Sequence, residues 1–216
     1  MQKLIMALAA SIALMGCGKA EENTASTTPN TDGGVTIPAS FFTAERPATT
    51  MNLLKVKNSA KVGDNVSFLA RVGGRAKPFA DGFAMFVVAD PSLVSCELKG
   101  EMDHCPVPYD YCCEAPEKLK AGLATIQMND EQGVPFRTTA EGQGGLEASK
   151  FLIVEGTVLE KNDDGLFTVV ADQIWVGGKP NRQNPMLGSG LASADAATGT
   201  PDQVPHDHDG DGVPDH

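Results

Sequence analysis

The chain has 216 residues, 17 of them Lys or Arg against 28 Asp or Glu, for a net charge of −11. A surface built to follow a phosphate backbone needs an excess of cations, because release of condensed counterions supplies most non-specific affinity; this composition argues against nucleic-acid binding. Residues 51–176, with 12 basic and 18 acidic side chains, share the deficit, and that span is long enough for one hydrophobic core and too short for two.

Residues 1–16 read as an export signal, with Lys3 as the charged region and Leu4–Leu14 as the apolar one. The apolar run is shorter than the roughly 20 residues a helix needs to cross about 30 Å of hydrocarbon. It ends in Leu14-Met15-Gly16-Cys17, which resembles the bacterial lipobox. That resemblance implies cleavage before Cys17, lipidation of its thiol and acylation of the new amino terminus, hence a membrane anchor in the cell envelope. Gly18 follows where an aspartate would imply inner-membrane retention, so in a Gram-negative host the resemblance implies the outer membrane, facing the periplasm. Several acyl chains at about 0.8 kcal/mol per buried methylene make such an attachment stable. Residues 17–50 are then anchor and tether: Lys19–Ser40 is rich in Thr, Ser, Asn, Ala and Gly without hydrophobic periodicity, and it buries too little apolar surface to offset chain entropy.

The folded domain is expected over 51–176. Val66–Val72 alternates between Gly63-Asp64-Asn65 and Gly73-Gly74 and predicts a first strand. Gly82–Asp90 is a nearly continuous apolar run stopped by Pro91, the pattern of a second strand covered on both faces. Leu123–Asp130 alternates again. Phe151–Val158 and Leu166–Val176 are β-branched runs joined by Asn162-Asp163-Asp164-Gly165, which predicts a hairpin. Thr138–Lys150 has room for one short helix, interrupted by Gly142, Gly144 and Gly145. Three strands, a short helix and two strands resemble the OB fold, a five-stranded antiparallel Greek-key barrel; a small β-sandwich is the all-β alternative. The OB resemblance implies a ligand face across the second and third strands.

Cys96, Cys105, Cys112 and Cys113 all fall in the loop 95–114 between those two strands. In an exported chain an even, clustered set reads as two disulfides. Adjacent Cys112 and Cys113 have Cα atoms about 3.8 Å apart, closer than a bridge usually requires, so each is expected to pair with Cys96 or Cys105, in either order. The alternative is metal or thiol-redox chemistry by the four sulfurs with His104, against which stand intervals of eight, six and zero residues and the lack of a Cys-x-x-Cys pair. His104, Tyr109 and Tyr111 form a candidate partner surface, stiffened by Pro106 and Pro108, although the aromatic rings could equally pack inward.

Residues 177–216 read as a disordered tail. It ends with Asp207, Asp209, Asp211, Gly212, Val213 and Asp215, which resemble a calcium loop of the EF-hand or thrombospondin type-3 kind. The resemblance implies carboxylate ligands at Asp207, Asp209, Asp211 and Asp215 and a carbonyl ligand at Val213. No bidentate glutamate occupies position twelve, so the implied calcium affinity is weak, on the order of 10⁻⁴ to 10⁻³ M. A solvated acidic tail is the plainer reading, and His206, His208 and His216 offer a transition-metal alternative.

The sequence contains no G-x-S-x-G, no H-E-x-x-H and no phosphate-binding glycine loop after a strand. The expected function is therefore a non-catalytic binding or structural module with a protein or glycan partner. Replacing Cys17 with Ser should leave the domain folded and release it from membranes on fractionation; a variant that still sediments with membranes contradicts the anchor.

Overall fold

The computed structural model describes residues 35–48, 51–100, 105, 107 and 109–191. Six strands form one sheet: β1 (Phe42–Thr43), β2 (Asn65–Val72), β3 (Met85–Ala89), β4 (Leu123–Gln127), β5 (Phe151–Lys161) and β6 (Phe167–Val176). The last five close on themselves in the order β2–β3–β4–β6–β5 and back to β2. Every barrel pair is antiparallel except β4–β6. That one parallel contact is the seam of a Greek key, because the chain leaves β4, crosses over and returns as β5 before β6 reaches β4. Closure makes the domain the OB-like barrel expected from the element order and removes the sandwich alternative.

Alternation along the strands sends Phe68, Ala70, Val72, Phe86, Val88, Ala124, Ile126, Leu152, Val154, Val169 and Ala171 into one core. The long β5 must pair with β2 on one side and β6 on the other, and its register against β6 shifts at Glu155/Gly156 and Val158/Glu160. Bulges of this kind bend a strand around a barrel corner. Gly156 sits at one of them, and a Cβ there would lie 2.1 Å from the Val170 carbonyl oxygen, so no other residue fits. The expected β5–β6 hairpin is present. Asn162 and Gly165 close it, with Leu166 N donating to Asn162 Oδ1 at 3.0 Å and Gly165 N to the Asn162 carbonyl.

The folded module is wider than the 51–176 span read from the sequence. Leu69, Phe151 and Ile153 are buried on the outer barrel face against Trp175 and Met186, so these strands need a cover, and residues 177–191 supply it. Gly177 N donates to the Phe151 carbonyl and Phe151 N to that of Gly178. On the amino-terminal side, Ile37 enters the core and β1 runs parallel to β6, while Arg46 lies over the Trp175 ring and donates to the Ser189 carbonyl at 3.1 Å. Parts of the segments read as tether and tail therefore complete the domain. The helix expected within 138–150 reduces to a single 3-10 turn at Gln143–Gly145, because Gly142, Gly144 and Gly145 all adopt positive φ.

Three short helices occur where the sequence shows no clear period: α1 (Leu53–Ser59), α2 (Cys96–Lys99) and α3 (Pro116–Gly122). Asn52 makes no side-chain cap for α1. Buried Asp90, at the end of β3, does it instead, its Oδ2 accepting from Leu54 N at 2.7 Å; a carboxylate there also meets the positive end of the helix dipole. On the same helix Lys57 is buried, and its Nζ donates to the carbonyls of Lys120 (2.8 Å), Leu123 (2.6 Å) and Gly165 (2.8 Å). Burial, and secondarily Lys161, pull its pKa down to about 8. One ammonium thus ties α1, the α3–β4 junction and the β5–β6 hairpin together. Lys57→Met should lower the unfolding free energy by about 2–3 kcal/mol in a denaturant titration, since buried carbonyls lose their partner; an unchanged midpoint contradicts the clamp.

Candidate functional site

The connection from β3 to β4 spans residues 90–122 and carries all four cysteines of the expected domain. It begins with Asp90, whose Oδ1 accepts from Ser92 N at 2.9 Å and turns the chain away from the strand. It ends in α3, which starts at Pro116, where a missing N–H costs nothing. A small apolar cluster of Ala89, Leu93 and Tyr111 with Leu119 and Leu123 seats this connection on the barrel.

The strongest anchor is charged. Arg71 on β2 is only 1% exposed, and no carboxylate lies within ion-pair distance of it among the described residues. Its Nε and Nη2 donate to Tyr111 Oη at 2.8 and 2.6 Å, Nη2 also donates to the Leu93 carbonyl at 2.8 Å, and the guanidinium lies over the rings of Tyr111 and Phe151. Its Nη1 is buried without a hydrogen-bond partner among the described residues. Burial raises the Tyr111 pKa, with Arg71 opposing, so the hydroxyl stays neutral and acts as the acceptor. Gly73 and Gly74 let the connection approach β2: a Cβ on Gly73 would lie 2.9 Å from the Tyr109 carbonyl, and Gly74 N donates to that same carbonyl at 3.3 Å.

These constraints bring the four sulfurs together. Cys96 opens α2, and its N–H donates to the Asp110 carbonyl at 2.9 Å. Cys112 and Cys113 are the central residues of a turn closed by Glu114 N on the Tyr111 carbonyl at 2.9 Å. The Sγ atoms lie 2.7 Å apart for Cys105–Cys112, 3.5 Å for Cys96–Cys112, 3.9 Å for Cys96–Cys113 and for Cys112–Cys113, and 4.0 Å for Cys105–Cys113. All four fall within 4.8 Å of one another. Cys96 and Cys105 are buried, whereas Cys112 and Cys113 face the surface. No pair is at the roughly 2.05 Å of a disulfide, so the two bridges expected from the sequence are not present as bonds; one four-sulfur knot stands in their place. Within it burial raises the Cys96 pKa, but the sulfur contacts from Cys105, Cys112 and Cys113 outweigh burial and leave it lowered, while the contact with Cys112 leads in raising that of Cys105. The sulfur contacts thus push the two buried thiols in opposite directions. Lys99 Nζ donates to the Cys113 carbonyl at 3.0 Å and pairs with Glu114 at 3.2 Å. Burial raises the Glu114 pKa, but the Lys99 hydrogen bond and other donors outweigh it and hold that carboxyl below its ordinary value.

Of the expected partner surface, Tyr111 is buried and serves as the anchor just described, and Tyr109 is half-buried with its carbonyl engaged. His104 lies outside the described residues, as do Pro106, Pro108, Cys17, and the calcium-loop residues Asp207, Asp209, Asp211, Val213 and Asp215. No helix among the described residues is long and apolar enough to cross a membrane.

A second feature sits on the barrel beside this connection. A groove of about 350 Å³ crosses β3 and β4 at Val87, Leu123 and Thr125, bordered by Arg75 from the β2–β3 loop, Lys120 of α3 and Asp164 of the β5–β6 hairpin. A broader depression of about 570 Å³ lies among α1, β2 and β5, with no Lys or Arg among the described residues that line it. Comparison with known proteins finds no matching family, curated protein or solved structure.

Arg71 and Tyr111 are expected to behave as a unit. Tyr111→Phe strands a buried guanidinium and should cost about 3 kcal/mol or more, whereas adding Arg71→Met to that variant should restore part of the loss. Strictly additive losses in the double-mutant cycle contradict the pairing.

Proposed function

We propose that this chain is a non-catalytic lipoprotein of the cell envelope, in which an OB-like barrel on a lipid tether binds a protein or glycan partner across β3 and β4. The groove carries the reading. It has an apolar floor of Val87 and Leu123, a mixed hydroxyl and methyl surface at Thr125, and polar borders of both signs at Arg75, Lys120 and Asp164. Binding sites take this form when apolar area supplies affinity and a few convergent polar groups fix orientation. The β2–β3 loop, the β5–β6 hairpin and α3 frame the floor.

Several features support this class over others. The acidic balance of the chain disfavours a polyanionic ligand. The one cluster of nucleophilic side chains among the described residues, the four-sulfur knot, belongs to the connection that frames the groove rather than to its floor. The lipobox-like Leu14–Cys17 and the polar stretch after it fit attachment to a membrane surface.

The test uses a photo-reactive side chain placed in the living envelope. With the group at Thr125 on the groove floor, illumination should give a discrete adduct of higher mass, and Val87→Arg in the same chain should remove it. The same group at Asp172, exposed on β6, should give none. Adducts of equal yield from both positions, or none from Thr125, contradict a binding groove.

A further inference from the structure

We infer that Cys96, Cys105, Cys112 and Cys113 form a tetrathiolate site for a single zinc ion. A tetrahedron with the roughly 2.3 Å arms of zinc–thiolate bonds has edges of about 3.8 Å. Four of the sulfur separations, 3.5, 3.9, 3.9 and 4.0 Å, lie close to that edge. The Cys96–Cys105 edge is within 4.8 Å, and only Cys105–Cys112, at 2.7 Å, is compressed. Opening that one pair by about 1 Å completes the tetrahedron.

Two disulfides would ask for a different arrangement. Each of the adjacent cysteines would be committed to one partner near 2.05 Å and held away from the other. Cys112 lies nearer Cys105 than Cys96, at 2.7 against 3.5 Å, but Cys113 stands almost equidistant from Cys96 and Cys105, at 3.9 and 4.0 Å, and so is committed to neither. The turn that seats Cys112 and Cys113 at its two centre positions explains how neighbours in sequence point to a common centre, which a strand or helix would not allow. This arrangement is why the intervals of eight, six and zero residues do not resemble the paired-cysteine pattern of common zinc modules.

The donor set selects the ion. Four sulfurs without an oxygen or nitrogen ligand among the described residues suit a soft or borderline cation and exclude calcium and magnesium. A d¹⁰ ion with no geometric demand of its own accepts a four-coordinate cage as the loop presents it, and a filled four-sulfur shell is structural rather than catalytic. On binding, each remaining thiol proton leaves to solvent, no electron is transferred, and the site carries a charge of −2. Lys99 donates to the Cys113 carbonyl and pairs with Glu114, so it brings one cation and one carboxylate to the rim of the site. Cys96 and Cys105 form the buried edge, and Cys112 gives the ion a way in from solvent.

The full chain, extracted in detergent under argon from its native membranes, provides the test. Elemental analysis should find one zinc per chain, and peptide mapping should find these four cysteines alkylated only after a strong chelator removes the metal. Cobalt(II) exchanged into the wild-type chain should give the intense thiolate-to-metal charge-transfer band of a tetrahedral four-sulfur site, and Cys113→Ser should weaken zinc binding at least tenfold. Because the cobalt spectrum is read on the wild-type chain, a Cys113→Ser variant that fails to fold does not decide the question. A metal-free chain lighter by four hydrogens, with two bridges in its peptide map, overturns the proposal. So does copper in place of zinc, or zinc retained after all four sulfurs are alkylated. None of these outcomes bears on the β3–β4 groove.

Discussion

A guanidinium with no carboxylate is the constraint on which the functional half of this molecule depends. Arg71 points out of β2 into a place water does not reach, and burying a charge without a counter-ion costs several kcal/mol unless hydrogen bonds replace its hydration. The β3–β4 connection supplies those bonds through the Tyr111 hydroxyl and the Leu93 carbonyl. The barrel therefore needs the connection folded, and the connection needs the barrel's charge to hold Tyr111 in place. Since Tyr111 directly precedes Cys112 and Cys113, the same bond that satisfies Arg71 fixes where two of the four sulfurs sit.

The remaining polar contacts repeat this logic on a smaller scale. Lys57 is held by three carbonyls from three elements, and Asp90 caps a helix to which it does not belong. A barrel of five strands has a small core and leaves short helices that are marginal by themselves. Buried charges satisfied by distant backbone groups fasten those helices and loops to the barrel. The outer face of β2 and β5, covered by residues 177–191, shows the apolar counterpart of the same need.

Much of the barrel was legible because alternation with a period of two, punctuated by Gly63-Asp64-Asn65, Pro91 and Asn162–Gly165, marks strands and turns independently of their partners. What escaped the sequence depends on partners. β1 has two residues and exists only because β6 offers it an edge. α1, seven residues long, borrows its cap from Asp90, so no local signal announces it. Arg71 sits within the alternating run Val66–Val72, and nothing local says that its partner is a tyrosine forty positions on. Met186, beyond the expected boundary, is needed only because Phe151 and Ile153 are buried on a face that looks free in one dimension. For the site, the cysteines and their approach to one another were legible, but the single four-sulfur centre was not, since the turn from Tyr111 to Glu114 and the bond from Cys96 N to the Asp110 carbonyl set it. For Tyr111 both a contact surface and inward packing were open in the sequence, because an aromatic beside prolines carries no mark of the charge that draws it inward.

The cysteine-bearing connection is a fixed part of the barrel rather than a loose insertion, and amide hydrogen exchange on the full chain tests this most directly. The N–H groups of Gly74 and Cys96, bonded to the carbonyls of Tyr109 and Asp110, should be protected to the same degree as the amides between β3 and β4. Exchange of these two at the rate of an unstructured peptide, while the barrel strands remain protected, would contradict it.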